Sequence, residues 1–153
     1  MDAVYMSRNT VFAATAGAKT VLKLISPTGF NLKIHEFAIS MDGVTATAVP
    51  ATVDWGTSDE TTAGTSTGSP VTTQIKGQTI ANGITLGQNF SAEGTTYTVH
   101  GHLFVPQFMG VLIYQNPLGL EPVSPAGNAD SFFLRINVSA NVNVLAWVKW
   151  SRA

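Results

Sequence analysis

Cysteine is absent from this chain of 153 residues, and charged side chains are scarce. The lack of thiols excludes disulfides, thiolate metal sites and cysteine nucleophiles. Asp, Glu, Lys and Arg make up 11% of the sequence, whereas globular domains carry about 25%. The net charge is −1, so no basic excess attracts nucleic acid or anionic lipid, and neither is an expected partner.

Long hydrophobic runs are also missing. The apolar stretch at 20–25 is interrupted by Lys23 and is far too short to span a bilayer. The first residues lack the basic start and apolar run of an export signal, so we expect a protein that is made in the cytoplasm. No stretch of ten or more residues shows helical spacing without an interrupting glycine or proline.

Period-two alternation, which is typical of β-strands, is the main pattern that the chain does show. It is clearest in the last quarter of the sequence, where one parity is almost wholly apolar over residues 131–138 and 141–150. The positions predicted to face the core are Phe132, Leu134, Ile136, Val138, Val142, Val144, Ala146, Val148 and Trp150.

The rest of the chain contains further short strands separated by turns. They are predicted at 9–15, 19–26, 31–41, 49–56, 70–76, 96–105 and 108–115. This spacing predicts an all-β domain, a jelly-roll-like antiparallel β-sandwich of about eight strands. We expect it to span residues 10–153 as a single domain after an N-terminal arm at residues 1–9. Residues 56–69 contain no large apolar side chain, which predicts an exposed loop.

A pair of histidines invites a test for a metal site. Gly94, followed after five residues by His100-Gly101-His102, matches the opening of a cupin metal motif. Residues two apart on a strand point to the same side, so both imidazoles would reach one metal. However, Pro106 and Gln107 stand where the motif requires a glutamate. Because two imidazoles are too few ligands, we predict no metal and no cofactor, and a cupin-like metal-binding protein is the least favoured alternative.

Catalytic patterns are equally weak. There is no nucleophile elbow, and no carboxylate lies at a characteristic spacing from any of the three histidines. A glycosidase needs two opposed carboxylates, and nothing in the sequence marks such a pair. The acids considered, most of them in turns and loops, are Asp54, Asp59, Glu60, Glu93 and Glu121. We therefore predict no catalytic residue and a protein that is not an enzyme.

Two tryptophans near the end of the chain bear on binding. Trp147 and Trp150 have opposite parity on one strand, so they cannot both face the core. An exposed tryptophan is typical of a sugar platform or a subunit contact, although packing beneath a neighbouring loop fits equally well. The low charge content also favours a protein that buries its exterior against its own copies or a larger assembly.

Several turns and core segments together resemble a group of small all-β virion proteins of tailed bacteriophages and prophages. The segments are 61–66 (TTAGTS), 89–95 (NFSAEGT), 106–110 (PQFMG), 117–122 (PLGLEP), 142–144 (VNV) and 147–150 (WVKW). Many members of this group are head decoration (cement) or accessory proteins, and the resemblance runs from about residue 10 onward. Relatives often carry a histidine where Val105 stands here, so no role of that histidine transfers.

The resemblance implies a structural protein of the capsid surface in the virion. Its partners would be the major capsid protein and its own copies, as a homotrimer on a local symmetry axis. The N-terminal arm would reach an adjacent subunit by adding a strand to a sheet edge. The predicted capsid or subunit contacts are Asp2, Val4, Tyr5, Arg8, Trp147 and Trp150. The alternative is a carbohydrate-binding accessory or fibre module that holds a host glycan on Trp147 or Trp55.

Overall fold

The computed structural model describes residues 3–43, 49–59, 64–121, 123–124 and 130–153. The strands in these ranges are β1 Val4–Arg8, β2 Phe12–Ala14, β3 Gly17–Ile25, β4 Leu32–Met41, β5 Ala51–Asp59, β6 Val71–Lys76, β7 Thr85–Gln88, β8 Tyr97–Val105, β9 Val111–Gln115, β10 Val123–Ser124, β11 Asp130–Val138 and β12 Val142–Arg152. All of their pairings are antiparallel. In the described ranges, no helix combines the length and apolar character needed to traverse a bilayer.

The strands form two sheets. Sheet A has seven strands in the order β10-β4-β12-β1-β6, with β2 also pairing with β12 and β9 with β4. Sheet B has five strands in the order β7-β3-β11-β5-β8. The predicted all-β, jelly-roll-like antiparallel sandwich is confirmed in class and layering. The strands outnumber the expected eight because β1, β7 and β10, which have no predicted counterpart, are only two to five residues long, too short to give a clear alternation.

The inner faces of the two sheets meet in one hydrophobic core. All nine alternating positions predicted for the last two strands are buried, so that prediction is confirmed. Aromatic rings interlock the layers: the ring centroid of Phe37 on β4 lies 5.1 Å from Trp55 on β5 and 6.1 Å from Phe132 on β11. Such contacts add to the hydrophobic stabilisation of about 25 cal/mol per Å² of buried apolar surface.

Residues 4–8 correct the prediction of a free N-terminal arm. They form β1, which is paired on one side with β12 and on the other with β6 of the same chain. Tyr5 is buried and stacks on Trp150 with 4.5 Å between ring centroids. The strand that was expected to join a neighbouring subunit therefore completes the chain's own sheet. Its buried positions include the polar Ser7, which hid the alternation in the sequence.

Residues 56–59 also differ from the prediction, because β5 continues through them to Asp59. Gly56 permits this continuation, since a Cβ there would lie 2.0 Å from the carbonyl oxygen of Thr98 on β8. Residues 64–69 are exposed, as the loop prediction expected, and they are tied to the fold by bridges from Thr65 to Ala92 and from Gly68 to Gln88. The remainder of the predicted loop lies outside the described residues.

Candidate interaction surface

The outer face of sheet A carries a groove along β4. In register across the sheet, Ala38 of β4 lies between Ile113 of β9 and Trp147 of β12. The adjacent row places Ser40 between Val111 and Leu145. Small side chains on β4 are thus flanked by large ones on both neighbouring strands. The resulting depression, which we call the sheet A groove, has a volume of about 350 Å³.

The walls of the sheet A groove are apolar and open to water. Val111 is 63% exposed, Ile113 is 62% exposed and Leu145 is 49% exposed. Val11, which is 62% exposed, extends this surface and borders a smaller recess together with Leu145. Contiguous apolar surface of this kind marks interaction sites more often than scattered exposed residues do.

Charged groups border the apolar centre. Arg8 is exposed and lines the groove beside Trp147, with which it is in register. Asp42 lies at the opposite end, where it accepts hydrogen bonds from the backbone amide of Asn143 at 2.9 Å and from its side chain at 3.1 Å. Lys149 stands 4.9 Å from the Trp147 ring centroid and is already paired in the sheet. The groove therefore has one cationic border and one anionic border.

The structure places some of the predicted contact residues at the sheet A groove and others in the core. Trp147 is half-buried and Arg8 is exposed, and both line the sheet A groove. Tyr5 and Trp150 are core residues, which corrects their prediction as contacts: their parity points them between the sheets. Val4 is half-buried at the other end of β1. Asp2 lies outside the described residues.

Trp55, the second tryptophan considered as a glycan platform, is also corrected by the structure. It is 8% exposed, and its ring lies 4.9 Å from that of Tyr114 and close against Gly101. A Cβ at position 101 would sit 2.4 Å from the indole. Trp55 is therefore enclosed in the core and presents no face to a sugar.

Sequence reasoning missed the apolar walls of the groove, although a signal was present. On β9, the inner positions Leu112 and Tyr114 alternate with Val111 and Ile113, so both parities are apolar. A strand needs only one apolar face to join a core, so its second apolar face indicates a further contact. Leu145 gives the same signal on β12, between two core positions.

The two histidines of β8 differ in their surroundings. Val99 pairs with Gly56 and Gly101 with Trp55, which leaves His100 unpaired in a β-bulge. Nδ1 of His102 lies 4.0 Å from Oδ1 of Asp54, whose other oxygen is 3.0 Å from the Arg135 guanidinium. Within the described ranges, no group of three or more His, Cys, Asp or Glu side chains is placed to hold a metal ion.

The bulge also changes the faces of β8. Period-two alternation alone would place Tyr97, Val99 and Leu103 on one face, opposite the histidines. Leu103 instead pairs with the core residue Val53, whereas Tyr97 packs on Phe133 at the outer face of sheet B. One extra residue in a strand reverses the parity beyond it, and the sequence gives no sign of that residue.

Glu93, one of the acids considered for catalysis, fastens a loop to sheet B. Its Oε1 accepts a hydrogen bond from the backbone amide of Thr20 at 2.6 Å. Its Oε2 accepts one hydrogen bond from the Thr20 hydroxyl at 2.7 Å and another from the Tyr97 hydroxyl at 3.0 Å. Burial raises the pKa of Tyr97, so its hydroxyl stays a donor. This arrangement fastens Glu93 to β3 and to Tyr97 of β8, whose ring packs edge-on against the buried Phe133.

A second polar cluster brings together a carboxylate and a histidine that the sequence did not connect. Nε2 of His35 lies 2.9 Å from Oγ of Ser151, and Nδ1 of His35 lies 3.8 Å from Oε1 of Glu121. The residue types are those of a hydrolase triad, but Ser151 is 2% exposed and its hydroxyl is not presented to solvent. Lys33 also lies 3.5 Å from Glu121. The cluster therefore holds the turn at residues 117–121 against β4.

That turn presents two leucines and depends on the charge of Glu121. Oε2 of Glu121 accepts the amide of Gly119 at 2.7 Å, while Leu118 is 94% exposed and Leu120 is 75% exposed. Hydrogen bonds from its own backbone amide and from Gly119, with the nearby Lys33 ammonium, hold the pKa of Glu121 below its ordinary value of 4.5. The turn is therefore stabilised by the ionised carboxylate.

We predict that the 117–121 turn loosens in acid. A lowered pKa in the folded state contributes stability above pH 4.5, and this contribution is lost as the pH falls through the folded-state value. The amide resonance of Gly119, followed by NMR, should shift with a midpoint below 4.5. Glu121→Gln should remove this titration. A midpoint above 4.5 would contradict the assignment.

Comparisons with known proteins add little to this geometry. No protein-family model matches the chain, and no curated protein matches it significantly. One solved structure, from a crystal of the T13 IBDV viral particle, aligns at 10% identity with a TM-score of 0.22. The alignment covers 98% of this chain but only 39% of that one. A TM-score this low does not establish a shared fold, so the match supports no statement about function.

Proposed function

We propose that this chain is a structural virion protein of a tailed phage that decorates the capsid and stabilises it through subunit contacts. The observation that carries the proposal is the sheet A groove, an apolar face that an isolated molecule leaves in water. The resemblance of the turn and core segments to phage decoration proteins supplies the partner, the major capsid protein. Assembly as a homo-oligomer, with a trimer as the order expected from that resemblance, belongs to the same proposal.

Burial of the groove provides the physical reason for binding. Each Å² of apolar surface removed from water contributes about 25 cal/mol, and standard interfaces take about 800 Å² from each partner. Binding of this kind requires a pre-formed apolar surface and no reaction at any residue. Multiple copies bound across neighbouring capsomers would resist the pressure of packaged DNA by adding such contacts at every junction.

A capsid-binding measurement tests the proposal. Purified protein mixed with expanded capsids of a tailed phage should sediment with them, and Leu145→Asp should reduce the bound amount at least about tenfold, because a charge in the apolar centre of the groove disrupts the contacts between neighbouring copies on the capsid. Phe104→Asp is the matched control: Phe104 is 78% exposed but lies on sheet B. A wild-type protein that stays in the supernatant would reject the capsid role.

A glycan-binding virion module remains the second candidate, and one observation favours it. Trp147 is half-buried beside Arg8 and Ser40, so an indole face adjoins polar groups in the sheet A groove. Sugars bind on such platforms. Glycan-array and capsid-binding measurements distinguish the two functions. Binding to a glycan array that is lost in Trp147→Ala, in a protein that does not bind capsids, would favour the glycan-binding module.

A further inference from the structure

We infer that the sheet A groove is the contact between copies of this chain, with Arg8 of one copy paired with Asp42 of the next. This inference deepens the proposed function and rests on it, because decoration through subunit contacts needs a self-complementary surface. Its occupant is a second copy of the same chain. The apolar walls described above form the centre of the contact, and the two charged borders form its edges.

The positions of the charges support a copy as the occupant. Arg8 is in register with Trp147, two residues after Leu145, whereas Asp42 is hydrogen-bonded to Asn143, two residues before it. Arg8 and Asp42 therefore lie on opposite sides of Leu145. A symmetry axis that runs past the groove beside Leu145 places one side of the groove against the opposite side of the groove in the neighbouring copy, so each Arg8 meets Asp42 of a neighbour. A surface with one cation and one anion placed in this way is complementary to itself.

Both charged groups have capacity for this pairing. Arg8 is exposed, and in the described part of the chain it forms no ion pair. Asp42 is exposed and accepts one hydrogen bond at each carboxylate oxygen. A carboxylate has about four acceptor sites, so further donors fit. Because the net charge is −1, whole molecules repel one another only weakly. The pairing of Arg8 with Asp42 therefore sets the orientation in which two copies approach each other.

The area of the face fits this arrangement. The strands of sheet A contain 42 residues, and at about 3.3 Å per residue and about 4.8 Å per strand their face measures roughly 670 Å². A standard interface takes about 800 Å² from each partner. Since the 116–121 turn covers part of the face, a stable contact has to use both the apolar centre and the charged borders. The ion pairs are therefore integral to the interface.

A charge-exchange experiment tests the inference. Native mass spectrometry and sedimentation velocity are applied to the wild type, Arg8→Glu, Asp42→Lys and the double variant. Each single reversal should weaken self-association at least about tenfold, because it places like charges in contact. The double variant restores opposite charges and should associate within about threefold of the wild type. Lys19→Glu, an equal charge change on β3 of sheet B, should leave the association unchanged.

Melting curves by circular dichroism confirm that each variant is folded. A double variant that associates no better than the weaker single variant would overturn the Arg8–Asp42 contact. A monomeric wild type that still sediments with capsids would overturn the contact between copies and leave the proposed function standing. Restored oligomers that ignore capsids would do the reverse, supporting the contact and rejecting the capsid role.

Discussion

Replacing Trp150 with alanine is expected to lower the free energy of unfolding by about 3–5 kcal/mol. Trp150 is fully buried, its ring stacks on Tyr5 at 4.5 Å, and its Nε1 donates a hydrogen bond to Oγ of Ser7 at 3.0 Å. The substitution would leave a large cavity and remove a partner from a buried hydroxyl. Urea unfolding followed by circular dichroism measures the difference.

Trp147→Ala provides the matched control in the same strand. Trp147 is half-buried on the outer face of sheet A, and Lys149 lies above its ring. Its removal should lower the free energy of unfolding by no more than about 1 kcal/mol, while it weakens self-association through the groove. Equal losses of stability in the two variants would show that the faces of β12 are wrongly assigned.

Gly56→Ala is expected to lower the free energy of unfolding by about 3 kcal/mol or more, because it forces β8 away from β5. A Cβ at Gly56 would lie 2.0 Å from the carbonyl oxygen of Thr98 and 2.9 Å from the amide nitrogen of His100. Both atoms belong to the backbone, so no side-chain rotation relieves the overlap. Among the strands that the structure describes, the edge strand β8 pairs with β5 alone, and its amides should lose protection in hydrogen-exchange measurements.

Gly29→Ala serves as the control for this change. A Cβ at Gly29 has no atom within 4 Å, and the residue is exposed in the turn before β4. Its substitution should alter the free energy of unfolding by less than about 0.5 kcal/mol. If Gly56→Ala proves equally harmless, with β8 amides still protected, the close pairing at the β8 bulge is incorrect.

An alternating pattern predicts the buried faces of the long strands of this protein but not those of its short strands. The long strands β11 and β12 alternate over nine or more residues, so their buried faces were predictable position by position. In the five residues of β1 the buried Tyr5 and Ser7 alternate with outer residues that include the apolar Val4 and Met6, and the buried serine breaks the apolar signal. Ser7 is buried because it bonds to Trp150, a partner 143 positions away, and such a distant pairing leaves no local pattern.

The candidate site was predictable only in part for the same reason. Trp147 was predicted as a contact because its position in the alternation is opposite to that of Trp150. Arg8 was also predicted as a contact, but because it was expected to lie in an N-terminal arm. The groove itself depends on register: it exists because Ala38 and Ser40 stand beside larger residues of β9 and β12. Strand order and register are set by contacts between distant segments, and a single sequence does not display them.

The pairing of β1 with β12 determines when this protein acquires the sheet A groove during synthesis. Residue 8, residues 38–40, residues 111–113 and residues 145–147 must all be present before the groove has its walls. A chain still growing on the ribosome therefore has no groove, since strands near its start wait for β12. Such late pairing is slow in proteins rich in long-range contacts. It also means that a chain not yet extended through residue 147 lacks the surface at which we propose that copies meet.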